Sequence, residues 1–381
     1  MRILFVIDKM KNFAGIERIL SCKMNYISEQ TTHQVFLSTY EQHSQELPFQ
    51  LNNTISYKPI NAPMPQWGNY PLSGWLKAYF HARSLFRQQF QQLLKDIMPD
   101  IVICTVYSFQ VLDIIINTSY KQGVKTIMES HTKGETITFR NKTKYNPLLY
   151  RVFSWWDHHI LRCLKHSQCV VTLTKQDTAF WNKYAKRIEV IPNMLTIKPK
   201  HVKDYEAKRV ISAGRYMSEK GFDRLLKAWH LIDEQYSDWH LYIFGNGERQ
   251  PYQQIADQLH LGSKVHLMPA TNDIAEEFSK SSIYVMSSRY EGFGLVLAEA
   301  MSCGLPCVSF DCPYGPREII TDGEDGILAE DGNIEELAQK IEFLMADSKL
   351  REAMGAKARR NIARYAPESI MEKWINLFKN I

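Results

Sequence analysis

The chain has 381 residues, too many for one ordinary core, and two domains of about 150 to 200 residues are the expected division. A hydrophobic share of 45% with 23% charged residues belongs to a folded protein and excludes a disordered or fibrous chain, and no stretch approaches the ~20 uninterrupted apolar residues that span a bilayer. The net charge of +5 hides an asymmetry: residues 1–200 carry 25 Lys/Arg against 13 Asp/Glu, and residues 201–381 carry 21 against 28. A basic first half fits an anionic partner, either a phosphorylated molecule or an acidic membrane surface, and it equally fits two solvated domains that differ in charge.

In chain order, Ile3–Ile7 is a continuous apolar run of strand length. It ends in Asp8 and Lys9, too early for the apolar segment of a signal peptide, so a cytoplasmic location is expected. Ile16–Ile27 and Ser84–Met98 show helical spacing, the second ended by Pro99. Strands are predicted at Ile101–Val106, Lys125–Met128, Gln168–Leu173 and Ile188–Ile191. Residues 195–208 are polar without an apolar period and form the predicted linker. The alternation then restarts: strands at Arg209–Ala213, Trp239–Phe244, Lys264–Leu267, Ile283–Met286 and Pro306–Phe310, and helices at Phe222–His230, Gln250–Leu259, Gly294–Met301, Ile334–Met345 and Leu350–Arg364. Ala366–Ile381 reads as a last helix, with Met371, Trp374, Ile375 and Phe378 at helical spacing. Unbroken apolar strands separated by helices imply an α/β fold of two doubly wound parallel sheets, residues 1–194 and 209–365, with a ligand cleft expected between them. The seven cysteines are odd in number and form no C-x-x-C pair, so reduced thiols are expected.

The densest chemistry lies in 287–318, SSRYEGFGLVLAEAMSCGLPCVSFDCPYGPRE. A strand is left, the chain turns through Glu291, Gly292, Phe293 and Gly294, and a helix containing Glu299 begins. Glycines admit a ligand close to the backbone, and the new helix offers unpaired N–H groups to an anion such as a diphosphate. Eight residues of helix separate Glu291 from Glu299 by roughly 12 Å, a span that suits carboxylates at two ends of a sugar nucleotide. Arg215 and Lys220, around the turn after another strand, add fixed positive charge. With no D-x-D in the sequence, a metal clamp has no ligand pair, so no metal or other cofactor is expected and the two cations must meet developing negative charge.

The pattern Glu291-x7-Glu299 with its flanks resembles the signature of the retaining GT-B glycosyltransferases of family 4, over nearly the whole chain and most densely over 209–330. The resemblance implies that Glu291 serves catalysis by contacting the donor sugar and that Glu299 binds ribose. It places the sugar beside Gly292 and Phe293, and the diphosphate against Gly294, Leu295, Arg215, Lys220 and Gly15. Two glycines are common at that N-terminal loop; here Ala14 replaces the first, which leaves Gly15. Gly245, in a G-x-G turn, and Pro269 fall near the nucleoside, and His131 matches a histidine beside the donor sugar and the reacting bond. The last helix is expected to pack back on the first domain. The run Cys312-Pro313-Tyr314-Gly315-Pro316 departs from the usual paired glycines and resembles transferases acting on bacterial surface polysaccharides.

These features imply retaining transfer from a nucleotide diphosphate sugar to a hydroxyl of a glycan, expected to be lipid-linked, by front-face attack without a covalent intermediate. A UDP-linked hexose or N-acetylhexosamine is the expected donor, although no residue fixes the base. Residues 139–165 mix Arg140, Lys142, Lys144 and Arg151 with Tyr145, Tyr150, Phe153, Trp155 and Trp156. That composition fits peripheral contact with an anionic membrane or a helix packing its aromatics on the core, and no nucleic-acid motif accompanies it. A sugar-nucleotide epimerase and a catalytically idle subunit remain alternatives on the same fold. An NAD-linked oxidoreductase lacks its complete G-x-G-x-x-G.

Overall fold

The computed structural model describes all residues except 12–14, 43–45, 66–70, 107–108, 136–137, 139–145 and 203. The chain divides into two compact units, residues 1–192 with 371–381, and residues 193–370.

The first unit is built on β1 (Arg2–Ile7), β2 (Gln34–Thr39), β3 (Ser56–Tyr57), β4 (Ile101–Val106), β5 (Lys125–Ser130), β6 (Cys169–Thr172) and β7 (Ile188–Val190). They form a seven-stranded sheet in the order β3-β2-β1-β4-β5-β6-β7, every pair parallel. Helices cover the strands, which is why β1 and β4 are apolar without alternation. The helix over 84–98 starts earlier than its apolar stripe suggested, at Leu72, and its first turns bury Trp75 and Tyr79 as a stacked pair. It stops where Met98 turns left-handed at φ 49° and returns its N–H to the Leu94 carbonyl, ahead of Pro99. Strands β2 and β3 and the helix Leu112–Lys121 had no clear periodic signal, because each is short or apolar on most faces.

In the second unit β8 (Arg209–Ala213), β9 (His240–Gly245), β10 (Val265–Pro269), β11 (Ile283–Met286), β12 (Cys307–Phe310) and β13 (Ile327–Ala329) form a six-stranded parallel sheet ordered β10-β9-β8-β11-β12-β13. Its core gathers Trp229, Trp239, Phe222, Phe310 and the helix Ile334–Met345. The polar stretch 195–208 lies within this unit, tied by Val202 N–H to the Cys303 carbonyl, by the Tyr205 hydroxyl to the Gly304 carbonyl, and by the Arg351 guanidinium to the Tyr205 carbonyl. Hydrogen bonds rather than an apolar stripe hold it, so its sequence shows no period. The last helix, Pro367–Lys379, gives residues from 371 onward to the first unit, with Met371, Trp374 and Phe378 buried. All seven cysteines are unpaired.

Candidate active site

In a doubly wound sheet the crevice for ligands opens where strand order reverses, beyond the carboxyl ends of the strands. In the second unit that point lies between β8 and β11. Both charged segments singled out in the sequence leave the sheet there: Gly214–Lys220 after β8, and Ser287–Leu295 after β11. The two loops are bonded to each other. Arg289 N–H donates to the Glu219 carbonyl at 2.8 Å, Ser287 Oγ to the Lys220 carbonyl at 3.0 Å, and the Arg289 guanidinium grips Asp223 at 2.8 and 2.7 Å. Such a bidentate pair fixes geometry as well as charge.

Lys220 and Glu291 meet at the centre. Lys220 Nζ donates to Glu291 Oε1 at 2.7 Å, and Ser288 Oγ donates to the same oxygen at 2.6 Å. Arg215 is more open, 61% exposed, and is held by Glu219 at 3.0 Å. The backbone then builds an anion cradle. Gly294, at φ 94°, is a left-handed N-cap that suits glycine, and it turns the chain into the helix Leu295–Ser302. The first bond within that helix runs from Ala298 N–H to the Gly294 carbonyl, so the N–H groups of Leu295 and Val296 point out of its positive end. Gly292 is half-buried, and Phe293 is buried edge-on against Tyr365 at 5.2 Å.

Glu299 lies one turn into the same helix. Its carboxylate is buried and accepts from Thr196 Oγ1 at 3.0 Å. Gly245 and Pro269, expected near a nucleoside, are direct neighbours in the β9–β10 register. Gly245 also meets a packing demand, since a Cβ there would sit 1.8 Å from the Gly214 carbonyl oxygen. Between them the Tyr216 hydroxyl donates toward the Ile243 and Met268 carbonyls, and burial pushes this phenol above its ordinary pKa.

In the first unit Gly15 is exposed at the start of the helix Gly15–Gln30, while Ala14 lies outside the described residues. His131 follows β5 and is 4% exposed, with Nε2 3.1 Å from Glu129 Oε1. Among the described residues no three His, Cys, Asp or Glu side chains converge as a metal site would require.

Sequence reasoning missed Glu219, Ser288, Asp223, Thr196 and Glu129. Two carried a local signal: Glu219 stands four residues after Arg215, and Ser288 three before Glu291. Thr196 and Glu129 reach their partners across the fold, and spacing cannot reveal such pairs.

A family model described as glycosyl transferases group 1 matches residues 193–361. Those residues form a domain of that family. An uncharacterized glycosyltransferase of Haemophilus influenzae is 37% identical over 210 residues, 54% of this chain and 59% of that protein. The amylovoran biosynthesis glycosyltransferase AmsD of Erwinia amylovora is 26% identical over 98% of both chains. The chain therefore spans under two thirds of the first relative and nearly all of the second. Among solved structures, sucrose-phosphate synthase of Thermosynechococcus elongatus superposes with a TM-score of 0.77 at 17% identity, covering 100% of this chain and 98% of that one. Anabaena HepE in complex with UDP and glucose gives 0.71 at 16% identity over 100% of both. At these identities the structures show the fold, which is GT-B.

Proposed function

We propose that this family 4 glycosyltransferase moves a sugar from a nucleotide diphosphate donor, a UDP-linked hexose or N-acetylhexosamine, to a hydroxyl of a lipid-linked glycan with retained anomeric configuration. The process served is bacterial surface polysaccharide synthesis. The observation that carries the reading is the pairing of Lys220 with Glu291 beside the amino end of the helix Leu295–Ser302. Cation, carboxylate and free N–H groups there suit a sugar joined to a diphosphate. The Erwinia relative is named as a glycosyltransferase of amylovoran biosynthesis, and the HepE complex holds UDP and glucose, which supports the choice of donor.

As the bond from the anomeric carbon to the diphosphate breaks, negative charge grows on the departing phosphate. Lys220, Arg215 and the N–H groups of Gly294 and Leu295 meet it, which lowers the barrier where charge develops. Positive charge grows on the sugar ring, and Glu291 steadies it while holding the hydroxyls. The acceptor oxygen arrives on the face the diphosphate leaves, and a donor phosphate oxygen takes its proton. Gly15 contributes backbone to the diphosphate, His131 meets the donor sugar, and Glu299, Gly245 and Pro269 serve the nucleoside.

The first unit has a surface suited to an anionic membrane. Residues 139–145 of the basic-aromatic segment lie outside the described residues, and the remainder forms the helix Pro147–Leu161. One face packs inward, with Trp156 against the core of the first unit and Ile160 buried. The other exposes Leu148, Val152 and Trp155 at spacings of four and three, beside exposed Arg151. No helix among the described residues is long and apolar enough to cross a membrane, so contact through this face is peripheral in the proposal.

The test is turnover of UDP-sugars with membrane lipid extracts as acceptor source, in wild type and Glu291→Ala. Acceptor-dependent release of UDP that falls by orders of magnitude in the variant is expected. Conversion of the donor without any acceptor would favour the epimerase reading instead.

A further inference from the structure

Three ionisable side chains meet in the interior of the first unit, and the mechanism above uses only one. Lys23, in the middle of the helix Gly15–Gln30, is 3% exposed; Glu129, on β5, is 1% exposed; His131, just beyond β5, is 4% exposed. The Lys23 ammonium is bonded to Glu129 Oε1, and its Nζ lies 3.9 Å above the Trp374 ring of the last helix. Thr105 Oγ1, from β4, donates to Glu129 Oε2 at 3.3 Å. The shared oxygen, Oε1, is also the one 3.1 Å from His131 Nε2.

A buried carboxylate survives only when it is paired and hydrogen-bonded. Burial alone would raise the Glu129 pKa, but the Lys23 ammonium outweighs it and holds the carboxyl below its usual range. The carboxylate paired with Lys23 therefore sits beside one nitrogen of His131. The ring's own hydrogen bonding is incomplete. Among the described residues neither of its nitrogens completes a hydrogen bond: Nε2 has the Glu129 oxygen in range without being aimed at it, and Nδ1 has no partner. A histidine buried for packing alone normally satisfies both nitrogens, whereas groups that meet a ligand often align only when it arrives. Glu129 and His131 are two residues apart at a strand end, so both project to the same side of the sheet.

We propose that Glu129 is a positioning residue whose carboxylate takes the Nε2 hydrogen of His131, leaving Nδ1 as the acceptor that meets a hydroxyl of the donor sugar. The inference rests on the reading that His131 touches that sugar. Lys23 balances the carboxylate's charge, and Trp374 shields the ammonium from water.

The test is the tautomer of the His131 ring, read by long-range proton–nitrogen correlation on histidine-labelled protein, with the signal identified by its loss in His131→Asn. Wild type should carry the hydrogen on Nε2. Glu129→Gln, whose amide can present either an oxygen or an NH2 to the ring, should populate both tautomers and lower kcat by tenfold or more, while UDP affinity and donor KM stay within about twofold. Should Glu129→Gln fold poorly, Lys23→Met/Glu129→Gln removes both charges together and is read in the same way. An unchanged Nε2–H tautomer in a folded variant, or an unchanged kcat, overturns the proposal. If the tautomers behave as expected but wild type turns over no nucleotide sugar, the hold of Glu129 on the ring stands and the proposed function falls.

Discussion

Lys220 Nζ lies 2.7 Å from Glu291 Oε1, and only 18% and 12% of the two side chains are exposed. In the free protein the cation expected for the diphosphate and the carboxylate expected for the sugar are therefore each other's counterions. A diphosphate must compete with Glu291 for Lys220.

That competition gives Glu291→Ala an unusual signature. The substitution frees Lys220, so UDP should bind as tightly as in wild type or several-fold more tightly, while sugar transfer falls by orders of magnitude. Calorimetric titration with UDP beside a turnover assay checks both. A tenfold loss of UDP affinity would show that Glu291 supports the nucleotide rather than opposing it.

Lys220→Ala should do the reverse. A charge-assisted hydrogen bond contributes about 1.5–3 kcal/mol, so UDP affinity should fall roughly 10–100-fold. Arg215→Ala should also weaken UDP but leave the urea midpoint of the free protein nearly unchanged. Its pair with Glu219 is exposed, and exposed pairs contribute about 0–1 kcal/mol.

Much of this was legible because the chemistry follows local rules. Strands Ile101–Val106, Arg209–Ala213 and Ile283–Met286 and the helices Phe222–His230 and Ile334–Met345 stand where their apolar periods put them. Glu291 and Glu299 announce themselves because a strand, a glycine turn and a helix follow in a fixed order. What stayed hidden is non-local. The partner of Lys23 is Glu129, 106 residues away, and that of Glu299 is Thr196, 103 residues away. No periodicity encodes such meetings. The strand Ser56–Tyr57 is too short to show alternation, and the described residues of 195–208 are tied down by backbone and side-chain hydrogen bonds that leave no apolar period.

Two buried carboxyls should shape the pH dependence of stability in opposite directions. Burial, helped by Glu41 and Glu17, raises Asp8 from 3.8 to about 7 despite the opposing Lys9 N–H. A raised carboxyl favours the folded state fully below the unfolded value, and that advantage is lost as pH rises toward 7, by at most about 1.4 kcal/mol per pH unit. Glu129 is held below its ordinary value of 4.5, so its contribution is present above pH 4.5 and is lost in more acid solution. Urea titrations of wild type and Asp8→Asn between pH 4 and 7 check the first effect. The variant should lose the downward slope; an identical slope in both would assign it to another group.

The exposed Leu148, Val152 and Trp155 give the membrane proposal its own check. Leu148→Ser/Trp155→Ala should reduce flotation with vesicles containing anionic lipid several-fold without changing UDP affinity. Equal flotation of variant and wild type would remove this helix from the contact.

In the proposed reaction the site between β8 and β11 takes a nucleoside diphosphate joined to a sugar. The most direct measurement is the thermal shift of the purified protein, in EDTA, against UDP, GDP, ADP and their sugar conjugates, since a ligand of the native state raises its stability by mass action. A clear shift with UDP and UDP-sugars, lost in Glu299→Ala, is expected. No shift with any of them at millimolar concentration, from a folded sample, would contradict it.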